Sequence, residues 1–423
     1  MKSKSLLLKT VLAGFVKALA AVIAFIMTAA VTRSLGAAEA GLFLLSITVL
    51  TFTGVFFRLG LDNVILKVVS ADGGGSYSVG VVTTALFAAF FCSFIFAVLV
   101  FNVAGIISIQ VFSKPSFEPV LSIMIWALPF MLVYFLLSFA FQGFYRVVLA
   151  IWFQNLGVSF VFLVLVLIAY FTLGISKFTA EGASQLYLSA VLLTCVLAVI
   201  FWHHQIKGRW ERGNIRDKKL WGSASNHWIA SSMILCVEWS GLLIAGMYVT
   251  SEEVAYLSTA QRTATLAGFV LMVANMVVAP RYARLWTEGK IKEFQQLARW
   301  STRAVILMAL PIVAIMVCFP EVIMQLFGPE FIQAANLLAI MAVGQFICVS
   351  TGSVRYLLGM TGHEKDFRRV TFFSGPFTII LNLILIPFYG VLGAAIGTAV
   401  GLAVQNTFAL IMVRKRLGFW PIG

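Results

Sequence analysis

Long apolar runs, separated by short polar stretches, extend over the whole chain. A continuous run of about 18 or more apolar residues predicts a membrane-spanning helix, whereas strict alternation would predict barrel strands. Twelve runs fit the helical pattern, and the connections between them are short. Their approximate bounds are 9–32, 40–66, 79–102, 119–145, 147–173, 184–202, 221–249, 254–280, 303–320, 332–361, 369–388 and 391–413.

The composition supports this interpretation. Of the 423 residues, 61% are hydrophobic and only 11% are charged, which is typical of a polytopic helical membrane protein and excludes an ordinary soluble domain. The five cysteines all lie inside apolar runs and form no Cys-x-x-Cys pair. They are therefore expected to be small buried residues, with no metal site and no disulfide.

The distribution of Lys and Arg predicts the orientation, because cytoplasmic connections collect positive charge. With the N-terminus inside, 23 of the 30 cationic residues fall in inner segments and three in outer ones. We therefore expect an all-α membrane protein of about twelve transmembrane helices, with both termini cytoplasmic. The net charge of +14 then reflects topology and attraction to membrane lipids, and it does not indicate a nucleic-acid partner.

A weak internal repeat divides these helices into two halves. Glu39 corresponds to Glu253, and Pro115 to Pro329, at the same shift in sequence. Six spans in each half make a parallel repeat, an arrangement found in several transporters. We predict two six-helix lobes, residues 1–210 and 211–423, around a central cavity.

Four segments of the chain resemble polysaccharide-biosynthesis flippases of the O-antigen type, within the multidrug/oligosaccharidyl-lipid/polysaccharide exporter superfamily. These segments are residues 32–43 (TRSLGAAEAGLF), 58–63 (RLGLDN), 327–335 (FGPEFIQAA) and 382–398 (NLILIPFYGVLGAAIGT). The resemblance implies an alternating-access transporter in the bacterial cytoplasmic membrane. Its expected substrate is an undecaprenyl-diphosphate-linked oligosaccharide, moved from the inner to the outer leaflet. The resemblance also implies a monomer that works beside a polysaccharide polymerase and chain-length proteins.

Three cations within the spans are candidates for binding the anionic headgroup. Counted from the inner ends of their helices, Lys17, Arg58 and Arg355 lie at similar depths of about 12–15 Å. Arg pairs with phosphate oxygens bidentately, and Lys acts as a point charge. The alternatives are that Lys17 snorkels to the interface, and that Arg58 and Arg355 each make a structural pairing or a backbone contact.

A second group of charges lies deeper. Glu238 and Arg262 are each about 28 Å from the inner ends of adjacent antiparallel helices, so they are predicted to meet. They form either a buried salt bridge or a site where Glu238 binds a proton or Na⁺ and Arg262 contacts substrate. Asp62 is a similar ion-coupling candidate beside Arg58, as an i,i+4 pair on one helix face.

The sequence shows no nucleophile elbow, no metal-spaced His cluster and no nucleotide-binding loop, so we expect no enzyme activity and no cofactor.

Three alternatives to the flippase function stay open. A drug or cation antiporter of the same superfamily is disfavoured by Lys17 in the first span. A lipid II flippase is expected to have two further spans. A membrane polymerase or glycosyltransferase generally needs a larger outer loop.

Overall fold

The computed structural model describes residues 2–173, 179–211, 213 and 218–422, and the regular structure within these ranges is helical. The basic connection at 203–219 lies partly outside them. Short π turns occupy Ile107–Val111 and Trp152–Leu156, and a 3₁₀ turn occupies Pro329–Ala334. The helices are α1 (Lys2–Phe57), α2 (Leu61–Asp72), α3 (Ser76–Asn102), α4 (Ala104–Ile106), α5 (Phe117–Met124), α6 (Ala127–Gly143), α7 (Val147–Ile151), α8 (Gly157–Leu173), α9 (Ala180–Gln205), α10 (Lys218–Tyr248), α11 (Ser251–Thr265), α12 (Gly268–Thr287), α13 (Ile291–Cys318), α14 (Pro320–Gln325), α15 (Ala335–Ser350), α16 (Val354–Met360) and α17 (Glu364–Leu417).

Nine of the helical segments in the described ranges are long and apolar enough to cross a membrane, and the bent pair α5–α6 makes a tenth. Two of the nine, α1 and α17, contain a glycine with non-helical backbone angles, at Gly36 and Gly390. A continuous helix of more than 50 residues would be about 80 Å long, far beyond a bilayer core of about 30 Å. Counting α1 and α17 as two spans each gives the twelve that the sequence predicts.

The break at Gly390 is a reversal of the chain, as its neighbours demonstrate. A Cβ atom at Gly393 would lie 2.7 Å from the carbonyl carbon of Leu385, and one at Gly397 would lie 3.0 Å from Cγ of Asn382. Such contacts require the two halves of α17 to run side by side as a hairpin. Glycines spaced four residues apart allow the two backbones to approach closely, a common device in membrane helices.

Gly393→Ala is expected to destabilise this hairpin. The added methyl would press on backbone atoms of Leu385 and Ile386, which cannot move aside as a flexible side chain could. We expect a loss of about 2 kcal/mol in unfolding free energy, a typical cost of overpacking. Thermal unfolding in detergent measures it. Gly359→Ala is the matched control, because no atom lies within 4 Å of the position of its Cβ; equal melting temperatures for both variants would contradict the tight hairpin.

The chain forms two compact units, Met1–Ser232 and Met233–Gly423. In the N-terminal unit α6 is central and packs against α2, α3, α7 and α9; in the C-terminal unit α15 packs against α11, α12, α13 and α17. The boundary between the two units falls inside α10, whereas the sequence predicted it between residues 210 and 211. The first turns of α10 therefore belong to the N-terminal unit.

Glu39, one of the repeat-related residues, has a clear local role. Its Oε2 accepts a hydrogen bond of 2.6 Å from the backbone N–H of Ala180, the first residue of α9. Thr179 accepts a second one from Gly182. An anionic side chain here pairs an otherwise unsatisfied N–H and favours the positive end of the helix dipole. Glu253, its partner in the repeat, instead completes a capping box with Thr250 at the start of its own helix.

Candidate functional site

The best-defined cation within the membrane-spanning part of the N-terminal unit is Arg58. Its guanidinium lies 3.6 Å from the Asp62 carboxylate, donates from Nε to the Gly54 carbonyl oxygen at 3.3 Å, and covers the ring of Phe135 at 4.3 Å. The Arg58 side chain is 19% exposed and that of Asp62 only 9%. Arg58 therefore keeps part of its charged surface accessible while Asp62 is almost enclosed.

This pair forms at a break in the helix, which corrects one prediction. The sequence predicts Arg58 and Asp62 on one face of a continuous helix. In the structure α1 ends at Phe57, Leu59 and Gly60 have positive φ angles of 54° and 69°, and α2 starts at Leu61. The continuous-helix prediction is wrong because the backbone adopts two left-handed residues here. The sequence predicted a single apolar span across the short segment 58–63, although that segment contains Arg, Gly, Asp and Asn. The ion pair nevertheless forms, from one helix end to the next helix start.

The start of α10 holds this break in place. The indole N–H of Trp228 donates to the Phe56 carbonyl oxygen at 2.9 Å, and the two aromatic rings pack edge to face. Gly60 lies so close to the backbone of Ala224 and Trp228 that no side chain would fit. The Phe56 carbonyl oxygen, which also accepts from the Leu59 N–H at 3.2 Å, thus gains a second donor. The segment 58–63, which carries the family likeness, is a rigid joint that fixes the position of the Arg58 side chain.

Lys17, the other predicted cation of this unit, lies in the first half of α1 and is half-buried. Two residues close to it in sequence, Phe15 and Leu19, are 66% and 42% exposed. Its joint role with Arg58 and Arg355 stays a prediction.

The C-terminal unit contains a cavity of about 250 Å³. Its polar wall includes Glu238 and Trp239 of α10, Gln261 of α11 and Gln345 of α15; apolar residues such as Met272 and Leu402 complete it. The side-chain amide of Gln261 donates to the backbone carbonyl oxygen of Glu238, which ties α11 to α10. The cavity therefore joins one carboxylate with two amides and an indole.

Glu238 is the only ionisable acid on the described wall of this cavity, and the residue is exposed. The indole N–H of Trp239 donates to its carboxylate, and the positive charge of Arg355 acts on it electrostatically. Arg355 itself is exposed, and its guanidinium lies 5.8 Å from the centre of the Phe367 ring. Glu238 is thus within electrostatic range of Arg355, which the sequence had assigned to a different depth.

Arg262 lies one residue beyond Gln261 and is half-buried. Its Nε donates to the Ser258 hydroxyl at 3.3 Å, and its guanidinium lies 5.7 Å from the Trp239 ring centre. The predicted pairing of Arg262 with the Glu238 carboxylate stays a prediction. Both residues nevertheless contact the same indole, that of Trp239.

Sequence reasoning missed Trp239, Gln261 and Gln345 as parts of this cavity. The signal was present, because Gln261 is 7% exposed and Gln345 half-buried, and both lie within predicted membrane spans. Buried amides in a membrane segment are costly and usually line a cavity or a packed interior. The sequence prediction relied on formal charges, whereas neutral polar residues form most of the polar wall. No cluster of metal ligands occurs among the described residues.

The fold and these charges define a polytopic α-helical membrane protein with buried polar sites in both units. Residues 6–286, about two thirds of the chain, match the model of the family described as polysaccharide biosynthesis protein, and residues 230–384 match the MatE family model. The chain belongs to the polysaccharide biosynthesis protein family. The resemblance found in the sequence is thereby confirmed at the level of family and superfamily.

Archaeal relatives support the same assignment. The chain is 26% identical over 172 residues to the probable low-salt glycan biosynthesis flippase Agl15 of Haloferax volcanii, covering 40% of this chain and 36% of that protein. It is 23% identical over 206 residues to the probable flippase AglR of the same organism, covering 48% and 43%. An uncharacterised membrane protein of Methanocaldococcus jannaschii is 25% identical over 199 residues, covering 44% and 38%. The chain spans about two fifths of the length of these relatives.

Solved structures share the fold over almost the whole chain. The lipid II flippase MurJ, in an inward closed conformation, matches with a TM-score of 0.77 at 11% identity, covering 96% of this chain and 87% of that one. An inward-facing multidrug resistance MATE family transporter of the MOP superfamily matches with a TM-score of 0.72 at 14% identity, covering 96% and 98%. The prediction of an all-helical, twelve-span, two-lobe fold is confirmed.

Proposed function

We propose that this protein is a flippase that moves a polyprenyl-diphosphate-linked oligosaccharide across the membrane by alternating access. The supporting observation is Arg58, a partly accessible guanidinium in a membrane-spanning unit, held by a helix break within the segment typical of the family. A diphosphate needs a cation that keeps its charge when water is removed, and Arg meets this requirement. The names of the Haloferax relatives agree with such an activity.

The C-terminal unit supplies the second part of the proposal. Glu238, with the charge of Arg355 beside it, is suited to exchange a cation against the substrate, so that transport is coupled to a proton or Na⁺ gradient. Asp62 serves the N-terminal unit in the same way or simply holds Arg58. Lys17 and Arg262 add positive charge for the headgroup. Bound cations in such sites are normally paired with carboxylates, as in other membrane transporters.

A drug or cation exporter is the second candidate, because residues 230–384 match the MatE model and the MATE transporters share the fold. The cations within the spans disfavour it, since Lys17 and Arg58 would repel a positively charged drug.

The remaining expectations belong to the flippase proposal. They are a bacterial cytoplasmic membrane, a monomer, and a polymerase with chain-length proteins as partners. The relatives reported above are archaeal.

Deletion of the gene in its native host tests the proposal. A flippase defect should remove the surface polysaccharide and cause the complete lipid-linked oligosaccharide to accumulate on the inner leaflet. Loss of a polymerase would instead leave single repeat units on the cell surface. Unchanged surface polysaccharide together with increased sensitivity to cationic drugs would contradict the proposal and favour the exporter.

A further inference from the structure

The N-terminal unit contains a cavity of its own, of about 540 Å³. It is far larger than a water site, and Arg58 is not among its lining residues. It lies between the start of α7 and the last turns of α9. Residues 147–149 form its aliphatic wall, and Trp152 and Phe201 contribute aromatic rings. Its polar lining residues are Tyr145 and Arg146, and both are exposed. The lining is thus mostly apolar, and Arg146 is the one cation among the lining residues.

The backbone gives this cavity a fixed shape. Tyr145 has a positive φ of 58°, and the N–H of Arg146 donates to the Phe141 carbonyl oxygen at 3.0 Å, which closes α6 before α7 begins. Behind the wall, the ring of Phe153 packs against Phe201 and Phe141, with centroids 6.2 and 5.6 Å apart. Phe141 and Phe153 are buried, so the exposed ring of Phe201 on the cavity wall packs against the interior of the unit.

Arg146 lies where a membrane surface is expected, one residue before the span at Val147–Thr172. It takes part in none of the ion pairs formed by the described part of the chain. Tyr and Trp beside it are the residues that prefer the interface between hydrocarbon and headgroups. The lining residues Val148 and Phe201 are 42% and 44% exposed, and Leu197, one turn from Phe201, is 39% exposed. The apolar wall therefore continues into the lipid-facing side of α9.

We propose that this cavity binds an anionic phospholipid from the leaflet on the Lys- and Arg-rich side of the protein. Arg146 takes the phosphate of the headgroup as a charge-assisted pair, the Tyr145 hydroxyl lies at the same level, and one acyl chain fills the apolar part. Charge complementarity and continuity with the lipid-facing surface favour a phospholipid over a soluble ligand or a peptide. The site does not depend on the proposed transport activity.

Native mass spectrometry of the purified full chain, titrated with phosphatidylglycerol or with phosphatidylcholine of the same acyl chains, tests this site. We expect wild type to prefer phosphatidylglycerol, and Arg146→Gln to weaken its binding about fivefold with little effect on phosphatidylcholine. Arg146→Lys should keep most of the preference. Val148→Trp fills the cavity without removing charge, so it should weaken both lipids.

Arg303→Gln is the matched control, because it removes one exposed cation that lies outside this cavity and that the sequence also predicts on the Lys- and Arg-rich side. It should bind phosphatidylglycerol as wild type does. Equal affinities of wild type and Arg146→Gln, or no preference for phosphatidylglycerol, would overturn the proposal. Stronger competition by a polyprenyl phosphate than by phosphatidylglycerol would assign the cavity to a substrate tail instead.

Discussion

Arg58→Ala is expected to lower flipping of a polyprenyl-diphosphate-linked oligosaccharide about a hundredfold, which is the loss of roughly two charge-assisted hydrogen bonds. The guanidinium is held by Gly54, Asp62 and Phe135, so its direction is fixed before substrate arrives. Arg58→Lys keeps the charge and loses the planar fork, so it should restore only part of the rate. The measurement is the flipping rate in vesicles at equal protein density.

A stability control is needed, because Arg58→Ala also leaves Asp62 as an unpaired buried carboxylate. Removing one partner of a buried pair costs about 3 kcal/mol or more. The double variant Arg58→Gln/Asp62→Asn removes both charges and avoids this cost. It should melt close to wild type and still fail to transport. A double variant with wild-type flipping would show that Arg58 is a structural residue and that the headgroup binds elsewhere.

Glu238→Gln is expected to abolish the response of transport to an imposed ion gradient. Its carboxylate faces the cavity of the C-terminal unit, receives the Trp239 N–H and interacts with Arg355. Glutamine has nearly the same shape, but its neutral amide takes up no proton and lacks the negative charge that would hold Na⁺. Rates measured with and without a proton or Na⁺ gradient should therefore become equal in the variant, whereas wild type should flip faster with the gradient.

Glu364→Gln is a suitable control for this experiment. It is the same substitution at an exposed carboxylate in the same unit, at the start of α17. Its gradient response should match that of wild type. A wild-type rate that does not depend on any gradient would exclude ion coupling through Glu238 while leaving the Arg58 prediction intact. The two experiments therefore test the two units separately.

The number and type of helices could be predicted from the sequence because long apolar runs have few alternatives in a bilayer. The breaks within them could not. At Leu59 and Gly60 the chain turns within a short polar segment, but a few polar residues do not show whether a helix ends there. The contacts that Gly60 makes with Ala224 and Trp228 show it. Such contacts join residues more than 150 positions apart, so a local pattern carries no trace of them.

The charged residues of the candidate site could be predicted from the sequence, but its neutral polar residues could not. Arg58 and Asp62 are paired as predicted, although they meet across a helix break and not on one continuous helix. Glu238 was found as an acid in an apolar helix, but its neighbours were not. The cavity beside it depends on Trp239, Gln261 and Gln345, which come from three helices and carry no formal charge. Their convergence is a property of packing, and hydropathy alone does not determine packing.

The most direct test of the central claim is flipping by the purified protein in vesicles. A polyprenyl-diphosphate-linked oligosaccharide is placed in both leaflets, and a membrane-impermeant lectin or glycosidase reports how much substrate becomes accessible from outside with time. We predict that vesicles with wild-type protein expose the inner-leaflet pool, whereas vesicles with Arg58→Ala behave almost as protein-free vesicles do. Equal accessibility in protein-free and wild-type vesicles, under every gradient applied, would contradict the account.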